Sequence, residues 1–97
     1  MTPSELSELH TKAFAPERGW SAGEFADLLK SPLVRLIVRP GGFALVRSVA
    51  DETELLTLAV HPNQQRKGTA TALLQDWLAL EDATRAFLEV AEDNSAA

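Results

Sequence analysis

Between residues 33 and 60 the sequence reads LVRLIVR, PGG, FALVRSVA, DET, ELLTLAV. Three segments rich in β-branched and apolar residues are separated by two short turn signals. Connections this short cannot carry a crossover. The segments 33–39, 43–50 and 54–60 are therefore expected as antiparallel neighbours in a three-stranded meander. The rest of the chain must cover the faces of that sheet. Arg35, Arg39 and Arg47 interrupt the apolar pattern and are expected on solvated faces or at strand ends. Asp51, Glu52 and Glu54 are expected as solvated charges around the second turn.

Two helices precede the meander. Leu6, Leu9 and Ala13 recur at helical spacing within 4–14, with Phe14 extending the stripe, and Pro16 and Gly19 punctuate the end. His10 falls on this helix with no visible partner and reads as a surface residue. The second helix carries a capping box, Ser21 with Glu24, and a hydrophobic staple, Trp20 with Phe25. Pro32 sets its end near Ser31. After the meander, Ala70, Leu73, Leu74, Trp77 and Leu78 form a broad apolar stripe within a helix over 66–81, and Trp77 is read as packing. Asp82 to Thr84 form a loop, and RAFLEVA (85–91) is a last strand. Strand, helix, strand implies a crossover and a parallel pair. The expected fold class is α+β: one mixed sheet, an antiparallel meander plus one parallel strand, with two N-terminal helices and a crossover helix.

Composition narrows the function. With 97 residues the chain suits one domain with a single core. It has no cysteine, which removes disulfides, thiolate zinc sites and a cysteine nucleophile, and no metal site is expected. The net charge of -5 argues against nucleic acid as partner. No apolar run reaches the roughly 18 residues that span a bilayer. The N-terminus MTPSELSELH is polar and acidic, unlike a signal peptide, so no membrane partner and a cytoplasmic location are expected.

The stretch HPNQQRKGTATALL (61–74) places Arg66 and Lys67 at a helix start, where the dipole favours carboxylates. A helix N-terminus presents unpaired N–H groups and attracts anions, and Gly68 lets the backbone approach a ligand. Under that reading Gln65, Arg66, Lys67 and Thr69 share an anionic guest with the amides. The alternative is a solvated loop before an ordinary helix. The Walker and dinucleotide fingerprints are both absent.

The ordered set LLTLAVHPNQQRKGTATALLQDWL followed by FLEVAEDNSAA resembles the GNAT superfamily of N-acetyltransferases, most of all the bacterial ribosomal-protein alanine N-acetyltransferases. That family's signature [Q/R]-x-x-G-x-[G/A] is met by Gln65, Gly68 and Ala70. Its apolar strand end and proline are met by LAV and Pro62, and its LEV strand with a following Asn by Leu88, Glu89, Val90 and Asn94. The resemblance implies acetyl-CoA as co-substrate, its pyrophosphate held by Gln65, Arg66, Lys67, Gly68, Thr69, Ala70 and Thr71. It also implies Leu58, Ala59 and Val60 along the pantetheine arm and a cofactor entering between the strands that end at Val60 and Ala91. Asn94 is included by the same likeness.

Acetyl transfer needs a neutral amine and a group that takes its proton. Alternation puts Phe87, Glu89 and Ala91 on one strand face, where a carboxylate among apolar neighbours has a raised pKa. The resemblance points to Glu89 as well. If the strand faces water, Glu89 is only a solvated charge. A backbone N–H near Val60 can hold the oxyanion. His61 is read as a strand-end base or, more simply, a loop residue before Pro62.

The family domain is longer. The resemblance implies a further helix opening at Asn94, two more strands, and a tyrosine that protonates the leaving thiolate, whereas this sequence ends at Ala97 and contains no tyrosine. The expectation is a single GNAT-like domain over 1–97, short at its C-terminus, whose strand 85–91 is an edge open to pairing with a second copy as a homodimer. The expected function is acetyl transfer from acetyl-CoA to a primary amine such as a protein N-terminus. The alternative is a catalytically inactive CoA-binding or dimerisation module.

Overall fold

The computed structural model describes residues 1–15, 18–65, 67–80 and 85–88. Helices α1 (Pro3–Phe14) and α2 (Ala22–Leu29) lead into strands β1 (Val34–Arg39), β2 (Gly42–Val49) and β3 (Glu52–Val60). A single 3-10 turn (Pro62–Gln64) leads to α3 (Thr69–Leu80) and then β4 (Arg85–Leu88). The sheet order is β1-β2-β3-β4, with the first three strands antiparallel and β4 parallel to β3. The α+β architecture with one mixed sheet is the expected one. No helix among the described residues is long and apolar enough to cross a membrane.

Both N-terminal helices start on capping boxes. Ser21 and Glu24 exchange the two bonds of the box ahead of α2, as their spacing requires. Thr2 and Glu5 do the same for α1. The Trp20 and Phe25 rings lie 5.5 Å apart, so the staple forms as well.

The sheet is buried on both faces. Alternation along β2 sends Phe43 and Leu45 toward α1 and α2, where they join Leu6, Leu9, Phe25 and Ala59. Ala44 and Val46 point the other way, against Ile37, Val60 and, on α3, Leu73 and Trp77. Five successive residues, Gly42 to Val46, are therefore buried. Each fully buried Phe or Leu contributes about 1.5–3 kcal/mol relative to exposure. The Trp77 indole N–H finds a buried acceptor in Thr53 Oγ1 at 2.8 Å. Arg39 and Asp76 form a two-pronged ion pair, 2.6 and 2.8 Å, that ties β1 to α3. Arg47 pairs with Glu54 at 2.7 Å directly across β2 and β3.

Two expectations change. The second hairpin turn is Ala50–Asp51, because Val49 pairs with Glu52 and β3 starts there. Ala50 carries the turn at φ 55°, a left-handed position that a non-glycine residue rarely takes and that leaves no mark in the sequence. His10 is not a surface residue. It is buried at 4% exposure within the α1/α2 core. Its ring stacks on Phe14 at 4.5 Å and on Trp20 at 5.0 Å, and meets Phe25 edge-on at 5.4 Å.

The Trp20 backbone N–H donates to His10 Nδ1 at 3.0 Å, so the neutral ring carries its proton on Nε2, which donates to Thr57 Oγ1 at 2.9 Å. Burial pushes the His10 pKa down from 6.5 to about 4, with the charge of Glu24 acting in the opposite direction. Above the unfolded value the ring is neutral in both states and its contribution is complete. Between pH 6.5 and about 4 the unfolded chain binds a proton that the folded core refuses, so stability falls as pH falls. Urea unfolding should give a free energy about 2 kcal/mol lower at pH 5 than at pH 7 from this group. Equal stability at the two pH values would mean that the imidazole is not held neutral.

Candidate functional site

The strand β3 is irregular in its middle. Leu45 opposes Thr57 while Val46 opposes Leu55, which leaves Leu56 as an extra residue, a β-bulge. The bulge resets the alternation. Leu55 packs on the α3 side, Leu56 and Thr57 both face α1 and α2, and Leu58 returns to the α3 side. Beyond it the ladder phase is fixed by the His61 N–H, which donates to the Gly41 carbonyl at 2.7 Å. Counting back from that bond, the N–H and C=O of Ala59 face β2, and those of Leu58 and Val60 face the opposite edge of β3. The described part of β4 covers that edge up to Leu55, the partner of Leu88.

The chain leaves β3 through a tight connection. His61 caps the 3-10 turn, its Nδ1 accepting the Asn63 N–H at 3.1 Å, so its ring already has a structural role. The Gln65 side chain folds back, and its Nε2 donates to the Val60 carbonyl at 3.2 Å. The Lys67 N–H donates to the Gln64 carbonyl at 3.3 Å, and the Thr69 hydroxyl reaches the same oxygen at 3.5 Å. Gly68 has φ 80°, and a Cβ placed on it would meet nothing within 4 Å. The glycine therefore serves the left-handed backbone.

The first α-type bond of α3 runs from the Ala72 N–H to the Gly68 carbonyl at 2.9 Å. Gly68 is thus the N-cap, and the N–H groups of Thr69, Ala70 and Thr71 precede the helical ladder. Lys67 and Gly68 are exposed beside them. A second glycine sets where this helix start sits. A Cβ on Gly42 would lie 3.0 Å from Thr69 Cγ2, 3.1 Å from the Ala59 carbonyl oxygen and 3.2 Å from Leu73 Cδ1. The N-terminus of α3 thus rests on the bare backbone at the start of β2.

Of the expected site residues, Leu58, Ala59 and Val60 close β3, while Gln65, Lys67, Gly68, Thr69, Ala70 and Thr71 form the connection and first turn. The Gln65–Val60 bond joins the two groups. Arg66, Glu89 and Asn94 lie outside the described residues. Sequence reasoning missed the bulge and His10. The helical stripe Leu6, Leu9, His10, Ala13, Phe14 held the signal for His10, which sits at i+4 from Leu6.

This combination of a meander, a bulged third strand, a glycine-led helix and a parallel fourth strand defines an α+β domain with one mixed sheet. The sequence profile described as Acetyltransferase (GNAT) family matches residues 4–97, and the chain belongs to that family. No curated protein matches it. Among solved structures it is similar to the ribosomal-protein-S18-alanine N-acetyltransferase from Escherichia coli, with 27% identity and a TM-score of 0.68, over 79% of this chain and 51% of that one. It thus spans about half the length of that enzyme. It is also similar in fold to the ribosomal-protein-alanine N-acetyltransferase from Brucella melitensis biovar Abortus 2308, with 17% identity and a TM-score of 0.61, over 94% of this chain and 71% of that one. A third relative in fold is AAC(6')-Iy in complex with the bisubstrate analog CoA-S-monomethyl-acetylneamine, with 17% identity and a TM-score of 0.65, over 96% of this chain and 76% of that one.

A Gly42→Val substitution should push the first turn of α3 off β2, because the added side chain would press on Thr69 and Leu73 while the Ala59 carbonyl beside it leaves no room to turn away. Thermal unfolding should show a loss of about 1–3 kcal/mol. A Gly42→Val protein as stable as the wild type would show that α3 does not depend on this close approach.

Proposed function

We propose that this protein binds acetyl-CoA along the outer edge of β3 and the start of α3, and transfers its acetyl group to a primary amine. The observation that carries this reading is the Gln65–Val60 hydrogen bond, which couples the end of β3 to the glycine-led helix start. Along that line stand the outward backbone groups of Leu58 and Val60, then the amides of Gly68 to Thr71 with Lys67 beside them. An extended pantetheine arm pairs with a strand edge through backbone bonds, and a pyrophosphate is matched by helix N-terminal amides and a cation. The donor set therefore fits the group, and Arg66 and Asn94 extend it by resemblance. Ala59, expected along the same arm, does not join this line: its backbone groups face β2 and its side chain is buried in the α1/α2 core.

Acetyl-CoA supplies the activated acyl group as a thioester. The chain must supply orientation and a place for the amine's proton. Glu89 takes that proton in this reading. It directly follows Leu88, the residue paired with Leu55 beside the bulge. The Val60 N–H, on the outward edge, is the donor available to a developing oxyanion. A protein N-terminus is the acceptor class suggested by the likeness to the alanine N-acetyltransferases.

Acetyl-CoA should raise the melting temperature, by the equivalent of about 2.7 kcal/mol at a hundredfold excess over its dissociation constant. A melting temperature unmoved at millimolar acetyl-CoA would remove the cofactor reading. With a panel of amines and N-terminal peptides, Glu89→Gln should keep that thermal shift and lose roughly a hundredfold or more in thiol release. Full turnover in Glu89→Gln would remove Glu89 as base. A thermal shift with no thiol release from any amine would leave a CoA-binding module.

A homodimer across the β4 edge is the proposed assembly, supported by the sheet order, in which β4 ends the sheet among the described residues. Sedimentation at micromolar concentration should return twice the 10.5 kDa chain mass, and a monomer would count against it.

A further inference from the structure

Residues 55–60 read LLTLAV, and Thr57 is the single polar side chain among them. An apolar residue is at home on either face of this sheet, because both faces are covered by helices. The hydrophobic pattern alone therefore does not decide where in β3 the extra residue sits, or whether it is there at all. Without the bulge, every residue after Leu55 would exchange faces and every backbone group would exchange edges. Thr57 and Ala59, and not Leu58 and Val60, would then present their N–H and C=O groups to the outer edge.

Thr57 breaks that symmetry. Its hydroxyl lies 2.9 Å from His10 Nε2, and both residues are buried. Since Nδ1 of the same ring accepts the Trp20 N–H, the imidazole has one proton to give, and Thr57 receives it. In the exchanged phase the hydroxyl would move to the α3 face among Ala44, Val46, Leu73 and Trp77. The buried Nε2–H would lose its acceptor, and an unpaired buried donor is more costly than the bond is favourable.

We propose that His10 and Thr57 act as the register lock of β3: a positioning pair on the far side of the sheet that decides which backbone groups reach the cofactor edge. The role for the cofactor rests on the acetyl-CoA reading above, while the lock itself concerns strand phase alone. Neither residue touches the proposed ligand. They act through the bulge at Leu56, one residue from Thr57 and one from Leu55, where described pairing with β4 ends.

The test separates phase from stability. Thr57→Val keeps the β-branched shape and removes the hydroxyl, Thr57→Ser restores it, and Thr53→Val removes a buried hydroxyl from the same strand ahead of the bulge. The phase is read by NMR from cross-strand contacts. Ala44 opposes Leu58 in a non-hydrogen-bonded pair, whose α-protons lie close together, whereas in the exchanged phase Ala44 would oppose residue 57. Wild type, Thr57→Ser and Thr53→Val should show the Ala44–Leu58 contact alone. Thr57→Val should show the contact to residue 57, with acetyl-CoA affinity lowered about tenfold, the scale of one buried hydrogen bond. Thr53→Val should lose stability and keep the affinity. A Thr57→Val protein with the wild-type contact and affinity would overturn the lock. If Thr57→Val does not fold, His10→Phe removes the same bond from the other side, together with the Trp20 bond, and its cross-strand contacts are read in the same way. If the contacts change as expected while wild type binds no acetyl-CoA, the lock stands and the cofactor reading fails.

Discussion

The α1/α2 side of the molecule depends on an imidazole that stays uncharged. His10 sits where Phe14, Trp20 and Phe25 converge, and its two nitrogens serve two different elements. Nδ1 fixes the backbone that leads into α2, and Nε2 fixes β3. A charged ring would turn an N–H toward the Trp20 N–H, and a plain aromatic residue would leave both partners unpaired. The position therefore asks for a ring that is flat, apolar over its faces and polar at two opposite points. Histidine in its neutral form meets all three conditions. The cost is sensitivity to acid, which the lowered pKa expresses.

The opposite face is held differently. There the packing is aliphatic apart from Trp77, and the polar contributions are few: Trp77 to Thr53 inside, Arg39 to Asp76 outside. Gly42 brings α3 against the β2 backbone itself, so the helix start has little freedom to shift. One face thus fixes the phase of β3 and the other fixes the start of α3. The proposed acetyl-CoA line runs across the junction of the two.

Much of this was legible in the sequence for physical reasons. Strand period, turn residues and short connections determine a meander, and both the Ser21–Glu24 box and the Trp20–Phe25 staple are local in sequence. What stayed hidden was non-local or degenerate. The partners of His10 lie 10 and 47 residues away. The bulge is invisible because Leu55, Leu56, Leu58, Ala59 and Val60 satisfy either phase. The early start of β3 depended on Ala50 accepting a glycine-like φ. At the candidate site, the spacing of Gln65, Gly68 and Ala70 was readable as a pattern. The reach of Gln65 back to Val60, which gives the pattern its geometry, was not.

The three helix starts offer an internal comparison. α1 begins with Thr2 and Glu5, α2 with Ser21 and Glu24, and in each a side-chain oxygen accepts a first-turn N–H while a carboxylate answers the dipole. α3 begins with Gly68, which has no side chain to offer, and has no acid in its first turn. Lys67 stands beside it with the wrong sign for the dipole. Within one sequence, two helices are closed by their own residues and the third is left electropositive. A chain with net charge -5 has ample carboxylates to cap that end and places none there. That choice opposes local helix stability, and it is the arrangement in which a negative group from outside gains most. The pyrophosphate of the proposed acetyl-CoA would supply the oxygens and the charge that Thr2 with Glu5, and Ser21 with Glu24, supply elsewhere in the same molecule.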